Sequence, residues 1–370
     1  MRSCFSRKRL IGGSLLVLVL GGAAALWWGR SALVSWYYVR QLVQAEAGTR
    51  ESWAERVADL GEEVVPQLVA CLKRQDDAAC VNVRDALVGL AGRWKPDDPR
   101  HAGLRARLAE AFPQLSPAGQ CVVLDLEQRW LPEGRKNFPG RLLTLAGRAP
   151  QAEIRGRALG LAALWLQHPE AGEGISTCRE LVRHCLRDPE AANRAAAVEL
   201  AVRPDIGLAR QVAPLLDDPA PEVRKEAMAA IGTSEEAVAT DDLLRSLHDG
   251  DADVRRLCEL ALRGRGLVRK EDLTLARLVS DAKPGVRLQV LERLSRTTDL
   301  EPGVWLRRLS QDPAPAVRAA AARAAADLES LDFSERLQKM AEQDPSPTVR
   351  QLARHYLDRH KLLQQNRFNR

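Results

Sequence analysis

The chain has 370 residues, room for two or three globular domains or for one elongated repeat array. Aromatic residues make up only 4% of it, Ala and Leu dominate its apolar set and strand-favouring runs are absent, so β-rich folds are excluded and helix on helix remains. Its formal charge of +6 comes from 55 basic and 49 acidic residues, an excess that permits an acidic partner without requiring one.

Residues 1–9 form a basic tail with Arg2, Arg7, Lys8 and Arg9, and residues 10–28 carry no charge at all. As a helix those nineteen residues rise about 28 Å, close to the hydrocarbon thickness of a bilayer, so 10–28 reads as a transmembrane signal-anchor helix. Trp27, Trp28, Trp36, Tyr37 and Tyr38 read as an interfacial aromatic belt. The basic tail outweighs Arg30 and Arg40, which predicts a single-pass protein with a cytoplasmic N-terminus and the remainder on the periplasmic or extracytoplasmic side. The alternative is a cleaved signal peptide, with Ala23-Ala24-Ala25 as the cleavage site and a soluble periplasmic product.

Residues 29–60 read as juxtamembrane helices. Val34, Tyr37, Tyr38, Leu42 and Val43 recur at helical spacing up to a break at Gly48, and a second helix runs from Ser52 to Leu60. Residues 61–148 read as degenerate helix pairs, the first being Glu62–Arg74 with Ala79–Arg93. Trp94-Lys-Pro-Asp-Asp-Pro99 is a turn, and Leu131-Pro-Glu-Gly-Arg-Lys-Asn-Phe-Pro-Gly140 is a long insert of the kind that carries contacts on one face of a stacked array. Residues 149–360 read as regular pairs and 361–370 as a basic tail with frayed structure.

The regular part is built on one recurring string. It reads Asp218-Pro-Ala-Pro-Glu-Val-Arg-Lys-Glu-Ala227, with copies at Asp312–Ala321, Asp344–Ala353, Asp249–Arg255 and Asp281–Arg287 and a weaker one at Asp188–Arg194. The leading Asp stands at 188, 218, 249, 281, 312 and 344, a repeat of 30 to 32 residues that predicts stacked helix pairs. Asp accepts hydrogen bonds from backbone donors in the turn, and the second Pro (221, 284, 315, 347) opens the next helix where its missing donor costs nothing. Val at the sixth place and Ala, Cys or Val at the tenth share one buried face. The Arg after the Val lies beside that face, within reach of the Asp of its own or an adjacent repeat. Asp218, Arg224, Asp249, Arg255, Asp281, Arg287, Asp312, Arg318, Asp344 and Arg350 are therefore expected to form a ladder that fixes the register of the stack. Degenerate copies at Ala149–Arg155, which lacks the Asp, Ser116–Val122 and Asp77–Arg84 extend the frame towards the N-terminus.

This pattern resembles the HEAT repeat family, including its bacterial phycobilisome-lyase-like branch. The resemblance implies an all-α, right-handed α-solenoid of antiparallel helix pairs, here preceded by one transmembrane helix. In that architecture the second helix of each pair lines the concave side, and the outward residues there form the contact surface. Helical spacing from the buried Val picks out Lys225, Arg256, Glu292, Arg323 and Gln351, whose mixed charges suit a protein partner better than a polyanion.

Of the seven cysteines, at 4, 71, 80, 121, 178, 185 and 258, none forms a Cys-x-x-Cys pair or has a His partner at zinc spacing, and they are expected as free thiols, the alternative being a Cys71–Cys80 bridge across one helical hairpin in an oxidising compartment. No nucleophile elbow, phosphate loop or nucleotide fingerprint occurs. The sequence therefore predicts a membrane-anchored interaction scaffold with a protein partner, no cofactor, no metal and no catalysis. The alternatives are a phycobilin-lyase-like protein acting on a chromophore carrier or, with the repeats in the cytoplasm, a protein that grips the nucleic-acid backbone.

Overall fold

The computed structural model describes residues 32–95, 98–131, 138–167, 171–296, 301–328 and 331–368. The basic tail 1–9, the apolar run 10–28 and most of the Leu131–Gly140 insert lie outside the described residues, and among the described residues no helix is long and apolar enough to cross a membrane. All regular structure among them is helical. The chain forms two compact units, one of residues up to 200 with 204–206, the other of 201–203 with 207–370.

In the first unit, α1 (32–43) and α2 (Arg50–Ala58) precede the pairs α3/α4 (Val65–Leu72, Asp77–Gly92), α5/α6 (Pro99–Ala111, Pro117–Trp130) and α7/α8 (Gly140–Ala146, Ala152–Trp165), followed by α9 (Ile175–Cys185) and α10 (Ala191–Ala201). Helices α2, α4, α6 and α8 pack side by side as one layer, while α3, α5, α7 and α9 cover them as a second. Between the layers Leu68, Leu72, Leu87, Leu108, Phe112, Leu124 and Trp165 are fully buried. The helix starts follow local chemistry: Asp76 Oδ1 accepts from the Ala79 amide and Ser116 Oγ from the Gly119 amide. Within the expected juxtamembrane stretch 29–60, α1 is part of the packed body, with Leu42 fully buried and its carbonyl accepting from Asn82 Nδ2 at 2.9 Å.

The second unit repeats the pair more regularly. Short α11 (Ala209–Val212) and α13 (Thr240–Leu243), each prolonged by a 3-10 turn, precede α12 (Pro221–Ile231) and α14 (Ala252–Gly264). Then follow α15/α16 (Lys270–Val279, Pro284–Arg296), α17/α18 (Pro302–Leu309, Pro315–Ala326) and α19/α20 (Ser334–Gln343, Pro347–Phe368). As expected, Pro221, Pro284, Pro315 and Pro347 each open a helix, and the tenth-place residues Ala227, Cys258, Val290, Ala321 and Ala353 are all 0% exposed. Helix α20 runs on to Phe368, within the expected basic tail 361–370.

The motif arginine reaches both its own repeat and the next one. In Arg318, Nη1 donates to the Asp312 and Pro313 carbonyls at 2.8 and 3.1 Å, while Nε and Nη2 donate to the Asp344 carboxylate at 2.7 and 2.8 Å. Arg287 makes the same fork to Asp312 at 2.6 and 2.8 Å, and Arg224 to Asp249 at 2.8 and 2.8 Å. Each aspartate also accepts the amide two residues on, as in Ser346 to Asp344 at 2.9 Å. One carboxylate thereby closes its own turn and fastens the preceding repeat. In the first unit Arg155 forks to Asp188 at 2.5 and 2.8 Å, although its own copy of the motif has lost the Asp; the rung needs only the next repeat's aspartate.

The expected ladder is interrupted once. Arg255 keeps the bonds to its own carbonyls, Asp249 and Gly250, but makes no ion pair with Asp281, and both residues are half-exposed. Helices α14 and α16 barely touch, unlike α12 with α14 and α16 with α18, and Val286 is only half-buried where Val223, Val254 and Val317 are 0% exposed. The physical reason lies in the turns. Both copies flanking this rung lack the Asp-Pro step, having Gly250 and Ala282, so neither chain entry is fixed by a proline ring. Arg265 meanwhile ties the end of α14 backwards, donating to the Val238 and Ser234 carbonyls at 2.9 and 2.9 Å.

The closed rungs predict an acid dependence. The Arg318 guanidinium holds the Asp344 carboxyl below the usual carboxylate range; burial alone would push Asp249 and Asp188 up, but the forks from Arg224 and Arg155 outweigh it and hold both below that range too. A folded-state pKa below the unfolded value of about 4 means stability that is complete above it and is lost as pH falls through the lower folded values. Thermal melts are expected to be flat from neutrality down to about pH 5 and to fall steeply below about pH 4; a midpoint unchanged at pH 3 would contradict the ladder.

Candidate functional site

Side by side, α2, α4 and α6 enclose a concavity of about 920 Å³. Its floor is short or apolar, with Ala54 and Ala47 on one side, Val88 and Gly89 in the middle and Leu126 opposite. Its walls are charged: Arg50, Arg84, Arg93 and Arg129 face Glu51, Glu55, Asp85 and Asp125, four cations against four carboxylates. Helical geometry puts them there, because residues 84, 85 and 88 fall on one side of α4 while Val83, Ala86 and Leu87 turn into the core.

Part of the charge is already spent within the wall. Arg84 Nη2 reaches Asp85 at 3.0 Å, Arg50 lies 3.9 Å from the same carboxylate, and Arg93 holds the Glu55 carbonyl at 3.1 Å and the Asp59 carboxylate at 2.8 Å. Arg157 of α8 engages Asp125. Arg129, Glu51 and Glu55 are exposed and their charged groups have no ion-pair partner among the described residues, which leaves one cation and two carboxylates free at the mouth. The balance suits a polypeptide that brings both signs, and the volume lies within the usual range for bound ligands or anchor side chains.

The contact residues chosen from sequence lie elsewhere, on the second helices of the second unit. Arg256, Arg323 and Gln351 are exposed there; Glu292 is exposed but held by Arg296 at 2.5 Å; Lys225 is half-exposed and 3.9 Å from Asp253. None of these five lines the concavity on α2, α4 and α6. The rule that selected Lys225, Arg256 and Gln351, the residue after the motif arginine, falls on Asp85 in the copy Asp77–Arg84, and Asp85 does line the concavity. That copy is degenerate and carries one extra residue, so the sequence signal there was faint.

The layer beneath is closed by a different ion pair. Arg105 forks to Glu127 at 3.0 and 2.5 Å, both residues buried, which fastens α5 to α6 where the motif arginine is missing. Nothing in the repeat motif announces this pair.

The described cysteines are all free. Burial pushes Cys178, Cys185 and Cys258 up to about 12 and Cys121 to about 11, and raises Cys71 and Cys80. The raised values disfavour the thiolate at neutral pH, and the five buried thiols, all but half-exposed Cys121, are expected to react with a disulfide reagent only as fast as the chain unfolds. Rapid labelling of Cys178 or Cys258 in the folded protein would contradict the packing. No group of three or more His, Cys, Asp or Glu is placed to hold a metal ion among the described residues.

Residues 271–358 match the family model for HEAT repeats. The match begins at the first turn of α15, between the two residues of the interrupted rung, and extends into α20, and it supports reading the chain as a HEAT repeat protein. No curated protein matches the chain.

Proposed function

We propose that this chain is a membrane-tethered interaction scaffold without catalytic activity, and that the concavity on α2, α4 and α6 receives a segment of a protein partner. The observation that carries the reading is the composition of that concavity, an apolar floor between four cations and four carboxylates. Balanced walls disfavour a polyanion, so nucleic acid is the weaker occupant. The tether is the uncharged run 10–28, with the basic residues 2, 7, 8 and 9 favouring repeats on the extracytoplasmic side.

The partner site is tested by a photo-crosslinking amino acid at Val88 of the full chain, with Lys339 on exposed α19 as reference. The expected result is a discrete polypeptide adduct from position 88 alone, reduced several-fold by Arg84→Glu with Arg129→Glu. Equal crosslinking from both positions, or none from 88, would end this reading. The tether is tested by protease treatment of spheroplasts: repeats digested from outside and a membrane-bound chain in the untreated control are expected, whereas protected repeats would reverse the topology and a shortened soluble product would replace the anchor by a cleaved signal.

A further inference from the structure

A recess of about 420 Å³ between α1 and α3 is chemically unlike the concavity. Trp36, Val39, Arg40, Val43, Gln67 and Arg74 line it, and no carboxylate does. The Arg40 guanidinium lies 5.3 Å from the centre of the Trp36 ring, and neither Arg40 nor Arg74 has an ion-pair partner among the described residues. Beside the recess α1 exposes Leu33, Trp36 and Tyr37 at 64%, 55% and 48%. Large apolar side chains rarely stand together in water on one rigid helix face.

That face is rigid because the opposite one is locked. Val39 and Leu42 are buried, and Ser35, also buried, accepts a hydrogen bond from Gln67 Nε2 at 2.9 Å. Tyr38, which the sequence groups with the aromatic belt, is half-buried and packs edge-on against Trp53 with ring centres 5.9 Å apart; Tyr37 touches the same ring at 6.3 Å but stays 48% exposed. The outward set is therefore Leu33, Trp36, Tyr37 and Arg40, an aliphatic and aromatic strip ending in a cation.

The chain itself indicates what covers it. The uncharged run ends at residue 28 and α1 begins at 32, four residue steps that span at most about 14 Å. Wherever 10–28 enters a bilayer, the first turn of α1 stands at its surface. Indole and phenol rings favour the headgroup layer, and unpaired guanidiniums there meet lipid phosphates.

We propose that this face of α1 seats on the bilayer, with Leu33, Trp36 and Tyr37 at the headgroup boundary and Arg40 and Arg74 holding the phosphate of a phospholipid in the recess. The seat orients the first unit on the membrane rather than letting it swing from its tether. The inference rests on the tethered reading, and its test separates the two.

The full chain, carrying Trp27→Phe and Trp28→Phe, is reconstituted into vesicles of phosphatidylcholine and phosphatidylglycerol brominated high on the acyl chains. The other four tryptophans beyond Trp36 and Trp53 are buried, so they emit but stay out of contact with bromine, and the quenched component reports mainly on α1. A bromine-quenched component is expected that disappears on adding Trp36→Phe and falls several-fold on adding Arg40→Glu with Arg74→Glu, while each variant still floats with the vesicles. Flotation with quenching that does not depend on Trp36 would overturn the seat and leave the tether standing. A chain that does not float overturns both. Trp36 and Arg40 are exposed, so unchanged helical circular dichroism is expected of these variants.

Discussion

Arg318→Ala is expected to destabilise the second unit by about 3 kcal/mol, because it leaves the buried Asp344 carboxylate without its fork. For a unit of this size that is a fall of roughly 10 °C in the melting midpoint. Arg255→Ala removes an arginine at the same place in the motif, yet costs only about 1 kcal/mol, since just the bonds to the Asp249 and Gly250 carbonyls are lost from a half-exposed side chain. The contrast separates the ladder from helix propensity, which changes by the same small amount, slightly in favour of Ala, in both variants. The double change Arg318→Met with Asp344→Leu is expected to recover most of the stability, because it removes the stranded charge along with its partner. A fall of equal size for Arg318→Ala and Arg255→Ala would mean that the fork to the next repeat contributes nothing.

Gly119→Ala is expected to be the most damaging single methyl group in the first unit. A Cβ there stands 2.2 Å from the Leu72 carbonyl oxygen and 3.1 Å from its carbon, backbone atoms that have no rotamer to escape into. The approach is close because Ser116 holds the end of α3 to the start of α6: its amide and Oγ both donate to the Leu72 oxygen, at 3.0 and 2.9 Å, while Oγ accepts from the Gly119 amide at 3.1 Å. Displacing that contact is expected to cost about 3 kcal/mol, at the upper end of overpacking effects. Gly103→Ala in α5 is the counter-case, with nothing within 4 Å of its Cβ, and is expected to add about 0.5 to 1 kcal/mol. Chemical denaturation of the two variants reads both signs, and a stable Gly119→Ala protein would contradict the α3–α6 packing.

The repeat was legible because each turn uses the same chemistry. Asp, Pro, Val and Arg at fixed places have one physical solution, and the structure adopts it at Arg224, Arg287 and Arg318. Legibility failed where a contact depends on two repeats at once. Asp249–Arg255 and Asp281–Arg287 each look complete, and only the joint absence of their Asp-Pro steps distinguishes the open rung. The concavity was illegible for the opposite reason. In α2, α4 and α6 the motif is degenerate, the buried pair Arg105–Glu127 takes over the tying role from residues outside the repeat, and the free faces of those helices carry no shared pattern. Spacing reports which side of a helix is buried; which exposed sides converge depends on the packing of the layer.

Native-state hydrogen exchange of the full chain, resolved helix by helix, tests the ladder as the source of register most directly. Amides of α18 and α20, on either side of a closed rung, are expected to exchange only through the opening of the whole second unit, and the ends of α14 and α16 facing the open rung at least tenfold faster. Equal protection of α14, α16, α18 and α20, or earlier opening between α18 and α20, would show that the arginine forks do not decide where the stack comes apart.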